Sequence, residues 1–219
     1  MSLEAQPNGE PIENLDVDDD DTPQYEAGSR HRTPEYGVDM LFLNRWSPRA
    51  MSGDPLSEYE FKSLLEAARW APSSYNNQPW RFLYAYRDSE EWDVFFDLLV
   101  DFNQTWADDA AVLLLMISKT TFDHNDSPSR THSFDAGAAW ENLALQGARN
   151  GLVVHGIEGF DHERAREELN IPDEYRVEAM AAVGKPGDPD DLPEDLQERE
   201  KPSSRKQISE IAFEGSFSS

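Results

Sequence analysis

Ala71-Pro72-Ser73-Ser74-Tyr75-Asn76-Asn77-Gln78-Pro79-Trp80 is the stretch whose reading decides the fold. It follows an amphipathic helical pattern and precedes an alternating apolar run, so it joins a helix to a strand. Its prolines fix φ and withhold a donor, while serines, asparagines and a glutamine crowd donors and acceptors into a short loop. Two readings are open for this loop taken alone. The amides can cap their own backbone in a plain connector, or they can meet the polar edge of a flat heterocycle, with Tyr75 or Trp80 as apolar wall.

The flanks are legible on both sides. Upstream, Ser57 and Glu60 have the spacing of a capping box, and Phe61, Leu64, Leu65 and Ala68 give a helical stripe that ends before Pro72. Before that, Val38, Leu41 and Phe42 recur at helical spacing. Downstream, residues 81–87 alternate as a strand, and Trp92, Phe95, Phe96 and Leu99 mark another helix. Residues 111–118 form a continuous apolar run, either a buried central strand or a buried helical segment. A polar segment, 120–133, leads into a helix over 134–150, where Gly137, Ala144, Gly147 and Ala148 leave room for another helix and Gly151 occupies the C′ position. Residues 152–155 read as a short strand or turn, 162–169 as a helix capped by Asp161, and 175–183 as a core strand. Residues 187–200 form an acidic loop, and apolar residues alternate again over 202–213. This order predicts an α+β fold.

Composition narrows the partners. The 219 residues carry a formal net charge of −25, with 14 Arg against 5 Lys. Phosphate-rich nucleic acid is repelled by such a surface. Abundant carboxylates with scarce lysine resemble proteins of salt-in halophiles, whose charge repulsion is screened by concentrated salt; an acidic surface for a basic partner is the competing account. With no cysteine, thiol nucleophiles, disulfides and Cys-based metal sites are excluded. No apolar run is long enough to span a bilayer and no signal-peptide pattern is present, so a cytoplasmic location is expected. Residues 1–33 are acidic and poor in large apolar side chains, with a charge run at Asp18–Asp21. They are expected to form a flexible tail before a single domain over 34–219.

Three segments can carry chemistry. Arg45 and Arg49 flank Ser47, and two guanidinium forks with a hydroxyl suit a phosphate monoester. Arg205 and Lys206 are an adjacent cation pair far downstream. Glu158-Gly159 lies in a strand-to-helix turn, where backbone N–H groups can face a ligand. Each has a plainer reading as a surface ion pair or an ordinary turn. His124 and His132, in a polar segment, read as solvated, so no metal site is expected.

Taken in order, these segments resemble the FMN-dependent nitroreductase family. The resemblance rests on Arg45-Trp46-Ser47-Pro48-Arg49, the Ala71–Trp80 stretch with Arg81-Phe82, Asp135-Ala136-Gly137, Gly147 to Leu152, Ile157-Glu158-Gly159-Phe160-Asp161 and Arg205-Lys206. It implies a central, mainly antiparallel sheet flanked by helices and an intertwined homodimer with FMN at the interface. It implies further that Arg45, Ser47, Arg49, Arg205 and Lys206 hold the phosphate. Pro72, Ser73, Ser74 and Asn76 would line the isoalloxazine, some of them serving the partner's flavin, and Glu158 and Gly159 would place a backbone N–H near flavin N5. The implied reaction is ping-pong hydride transfer from NADH or NADPH through the flavin to a nitroaromatic, quinone or related acceptor, with no catalytic side-chain acid or base. Relatives of this fold also catalyse dehalogenation, flavin breakdown or dehydrogenation, and a flavin-binding sensor or assembly protein without turnover is the non-enzymatic alternative.

Overall fold

The computed structural model describes residues 27–217. The Asp18–Asp21 run and most of the expected tail lie outside the described residues. Residues 28–32, which composition assigned to that tail, are packed: a 3-10 turn at Gly28–Arg30 sits against the first helix, and a Cβ on Gly28 would meet the Leu43 carbonyl oxygen at 2.1 Å.

Four antiparallel strands form the sheet: β1 (Trp80–Tyr86), β2 (Val112–Lys119), β3 (Val153–Ile157) and β4 (Tyr175–Gly184), in the spatial order β1-β2-β4-β3. The apolar run over 111–118 is therefore the inner strand β2, seven of whose eight residues are buried. It lacks alternation because both sheet faces are covered. On one face pack α2 (Glu58–Arg69) and α5 (His132–Arg149) around Phe61, Leu64, Leu114 and Leu143. On the other lie α3 (Trp92–Asp97), α4 (Asp101–Ala107), α6 (His162–Glu168) and α7 (Glu194–Gln197), around Phe95, Trp106, Leu113, Leu115 and Met180. A short α1 (Met40–Asn44) lies against α5. The fold is thus α+β, with a central antiparallel sheet flanked by helices.

Local signals were obeyed where they were local. The Ser57–Glu60 capping box forms with both reciprocal bonds, Gly151 adopts φ +69°, and Asp161 caps α6 by accepting from the Arg164 N–H. Another helix does approach α5 closely, since α2 packs along it and Asn142 Nδ2 donates to the Ala67 carbonyl, but the two glycines act differently. A Cβ on Gly147 would approach Val154 Cγ2 to 2.4 Å, so its close neighbour is a strand side chain, while Gly137 faces open space. The helix α4 was not anticipated. The alternation over 202–213 forms no strand; Ile208, Ile211 and Phe213 are exposed around a 3-10 turn.

Candidate functional site

The chain leaves α1 extended at Arg45 (ψ 121°). Successive side chains then point to opposite sides, which buries Trp46 and Pro48 and leaves Arg45, Ser47 and Arg49 half-buried together. They line a cavity of about 300 Å³ with Arg32, His155, Arg199, Lys201, Ser203 and Arg205. Four of the five residues assigned to phosphate thus share one cavity. Lys206 is exposed and does not line it. Arg32, Arg199, Lys201 and His155 were not anticipated, because no motif joins them and only the return of the C-terminal segment brings them together.

Six cations around one cavity, in a chain of net charge −25, are a concentrated positive site. Burial first, then the charges of Arg205 and Arg45, hold the Arg32 guanidinium below its usual range. Arg32 is spent on structure, its Nη1 donating to the carbonyls of Leu43 and Arg45 and its Nε to that of Ser203. Among the described residues Arg45 has a 3.4 Å contact to Ser47 Oγ and a 3.8 Å pairing with Glu141. Arg49 Nε is buried with no hydrogen-bond partner among the described residues. An orphaned guanidinium donor in a cationic cavity fits an anion that would accept from it. His155 stays neutral there: burial pushes its imidazole down to about 4, Arg49 adds to the effect, and hydrogen bonds to the backbone of Pro48 and Ser47 oppose it. Its Nδ1 lies 2.8 Å from the Pro48 carbonyl, so Nδ1–H is the donor.

A line of contacts runs from this cavity to the Glu158-Gly159 turn. The Arg49 guanidinium lies 5.9 Å over the Trp106 ring, which packs 4.5 Å from His155. Trp106 Nε1 donates to Asn103 Oδ1, and Asn103 Nδ2 donates to the Gly159 carbonyl at 2.9 Å. The Val100 N–H donates to the same carbonyl. A Cβ at 159 would meet Asn103 Nδ2 at 2.7 Å, which explains the glycine. The Gly159 N–H donates to no acceptor among the described residues. Glu158 is exposed. Asn103 and Trp106, one turn apart on α4, are the elements that sequence reasoning missed; a seven-residue helix carries too little periodicity to be seen.

The Pro72–Gln78 loop is strained and well tied. Tyr75, Asn76 and Gln78 all have positive φ, between 48° and 53°, conformations costly for residues other than glycine. The loop is fixed by the Ser74 N–H donating to Asp135 Oδ2, by Asn77 Nδ2 donating to the Thr121 carbonyl, and by the Asp123 N–H donating to Asn77 Oδ1. Asp135 is buried and also accepts from Thr131 Oγ1. Both readings of the loop find residues here. Ser73 Oγ accepts from the Gln78 N–H and so caps its own backbone. The Ser74 hydroxyl and the Asn76 carboxamide have no partner among the described residues, and Pro72 and Asn76 are exposed.

The two halves of the predicted site do not meet within one chain. His155 lies on the edge strand β3, opposite Ala182, whereas the loop enters the other edge strand, β1, at Trp80, level with Ser118 and Arg176. Three strand spacings and six residues along β4 put these points about 25 Å apart. They also face opposite layers, since Trp106 belongs to the α3–α4 core and Asp135 to α5. Among the described residues there is no cluster suited to hold a metal ion, and no helix long and apolar enough to cross a membrane.

Comparison with known proteins agrees with this architecture. The Nitroreductase family model matches residues 43–99 and 88–185, a span of more than half of the chain. A crystal structure of an oxidoreductase containing FMN is 49% identical, superposes with a TM-score of 0.82, and covers 85% of this chain and 96% of its own. A structure in complex with FMN from Desulfovibrio desulfuricans is 25% identical with a TM-score of 0.65, covering 84% of this chain and 100% of that one. An NADH dehydrogenase of Thermus thermophilus is 27% identical over 177 residues, 67% of this chain and 85% of that protein. Motif order, sheet topology and these matches converge, and the chain belongs to the nitroreductase family.

Proposed function

We propose that this chain is an FMN-dependent oxidoreductase that carries hydride from NADH or NADPH to a nitroaromatic, quinone or related flat acceptor. The observation that carries the reading is the cationic cavity, whose orphaned Arg49 Nε, Ser47 hydroxyl and neighbouring Arg45 and Arg205 match a phosphate monoester. Lys206 is left as a peripheral charge. FMN, when bound, supplies the hydride chemistry between reductant and acceptor. The protein's part is to bind, orient and exclude water. The Gly159 N–H is an available donor for a ring nitrogen, held in place through the bonds of its carbonyl to Val100 and Asn103.

The reading also requires a second copy of the chain. The loop with Pro72, Ser74 and Asn76 lies about 25 Å from the phosphate cavity, by strand geometry, beyond the reach of one FMN. Each flavin is therefore proposed to take its phosphate from one protomer and part of its ring wall from the partner, in an intertwined homodimer. Exposed apolar side chains at both ends of the described chain support this: Tyr36, Met40 and Phe42 before the cavity, Ile211 and Phe217 after it, and Phe134 on α5. For the acceptor, exposed Tyr75 and His124 and half-buried Phe122 form an aromatic cluster beside the loop, with centroids 5.4–5.6 Å apart and the rings tilted or edge-on to one another, so that an edge or a face of one ring can meet a flat molecule.

The test is purification in molar KCl followed by flavin analysis. Bound yellow flavin that bleaches with NAD(P)H and recovers with a nitroaromatic or quinone is the expected result, together with a dimer by light scattering. Protein that neither retains nor binds FMN overturns the proposal. Flavin that does not bleach with NAD(P)H removes the reductant from it.

A further inference from the structure

We propose that Glu200 is the positioning residue of the cationic cavity, holding the C-terminal segment against the Arg49–Ala50 backbone so that cations from both ends of the chain face one anion. The inference rests on the anion-site reading above. Glu200 follows α7, and its side chain is only 2% exposed. One carboxylate oxygen, Oε1, accepts from the backbone N–H groups of both Arg49 (2.5 Å) and Ala50 (2.9 Å), 150 residues away in the chain. Charge-assisted bonds of this kind are the stronger class, and here they tie down a segment with no regular structure. That segment brings Arg199, Lys201, Ser203 and Arg205 to the cavity. Arg32 braces the same segment from the other side through the Ser203 carbonyl.

The remaining oxygen makes a looser, electrostatic contact with the cavity. Glu200 Oε2 is buried without a hydrogen-bond partner among the described residues, and Arg49 Nη1 stands 3.8 Å from it. Arg49 is thus ion-paired with Glu200 while its Nε has no hydrogen-bond partner among the described residues. A negative charge so near the cavity opposes anion binding, so any favourable effect of Glu200 on affinity must come through the two N–H groups it holds.

The experiment compares Glu200→Ala, Glu200→Gln and Glu200→Asp in the full chain in molar KCl. It reads the Kd of FMN and of inorganic pyrophosphate, and hydrogen exchange at the Arg49 and Ala50 amides. Glu200→Ala should weaken both ligands about tenfold or more and expose both amides to exchange. Glu200→Gln, whose amide oxygen accepts the same two N–H groups without the charge, should keep both affinities within about threefold of the parent or tighten them. Glu200→Asp, one methylene short, should behave like the Ala variant and serves if that variant fails to fold. Folded Ala or Asp protein with parental affinities and protected amides overturns the proposal, as does a Gln variant as weak as Ala. If the parent protein binds neither ligand, the anion reading fails, and the exchange data alone decide whether Glu200 holds the segment.

Discussion

His155 should make the protein lose stability with acid in a window set by its burial. Its imidazole stands at about 4 in the folded chain against an ordinary value of 6.5. Above pH 6.5 both folded and unfolded chains carry it neutral. Between 6.5 and about 4 the unfolded chain takes up a proton that the folded chain refuses, so stability falls as pH falls, and below 4 the loss is complete. A gap of about 2.5 pH units corresponds to roughly 3 kcal/mol. Many carboxylates titrate in the same range, so the measurement is a difference. Urea unfolding in molar KCl at several values between pH 7.5 and 4 is compared for the parent and His155→Asn, whose Nδ2–H can still donate to the Pro48 carbonyl without titrating. The expected gap between the two curves narrows or inverts in favour of the variant by roughly 3 kcal/mol across the window. Saturating pyrophosphate should shift the window to lower stability loss, because an anion beside Arg49 and His155 offsets the repulsion between them. A parent-minus-variant difference that stays flat from pH 7.5 to 4 refutes the reasoning.

Other outcomes follow from single contacts. The Arg45→Ala, Arg49→Ala double variant should lose bound FMN on gel filtration, and unchanged flavin retention would take both arginines out of the site. Gly159→Ala places a methyl 2.7 Å from Asn103 Nδ2; it should weaken FMN retention while the urea midpoint moves little, since only the end of a side chain must yield. Ser57→Ala removes one half of the α2 capping box and should cost about 1 kcal/mol in urea unfolding with no change in flavin content. If the acidity reflects salt adaptation, the thermal midpoint should rise steadily into molar KCl, and a midpoint independent of salt would argue for a basic partner instead.

Much of the fold was open to reading because its signals are local. The capping box of α2, the glycine after α5 and the Asp161 cap each depend on neighbours three or four residues away, and each forms as expected. The β2 run stayed ambiguous between strand and helix because an inner strand covered on both faces has no alternation to show. α4 was missed for the opposite reason: Phe102 is exposed while Trp106 and Ala107 are buried, and one turn of contrast in seven residues is not a period. The apolar alternation over 202–213 was misleading because those side chains stay exposed within the chain, where no strand stands beside them to pair.

By itself, the amino-acid sequence determined the helix caps, part of the strand-forming runs, the absence of thiol chemistry and the motif Arg45-Trp46-Ser47-Pro48-Arg49. These are properties of bonds and neighbours. Only the tertiary structure decided that Arg205 joins that motif while Lys206 does not, that Arg32, Arg199, Lys201 and His155 line the same cavity, and that Gly159 is locked by Asn103. It also decided that the Ala71–Trp80 loop sits at the far edge of the sheet from the phosphate cavity. That follows from the order β1-β2-β4-β3, which is set by strand pairings as far as 71 residues apart in the chain, Val112 with Val183, and leaves no local trace.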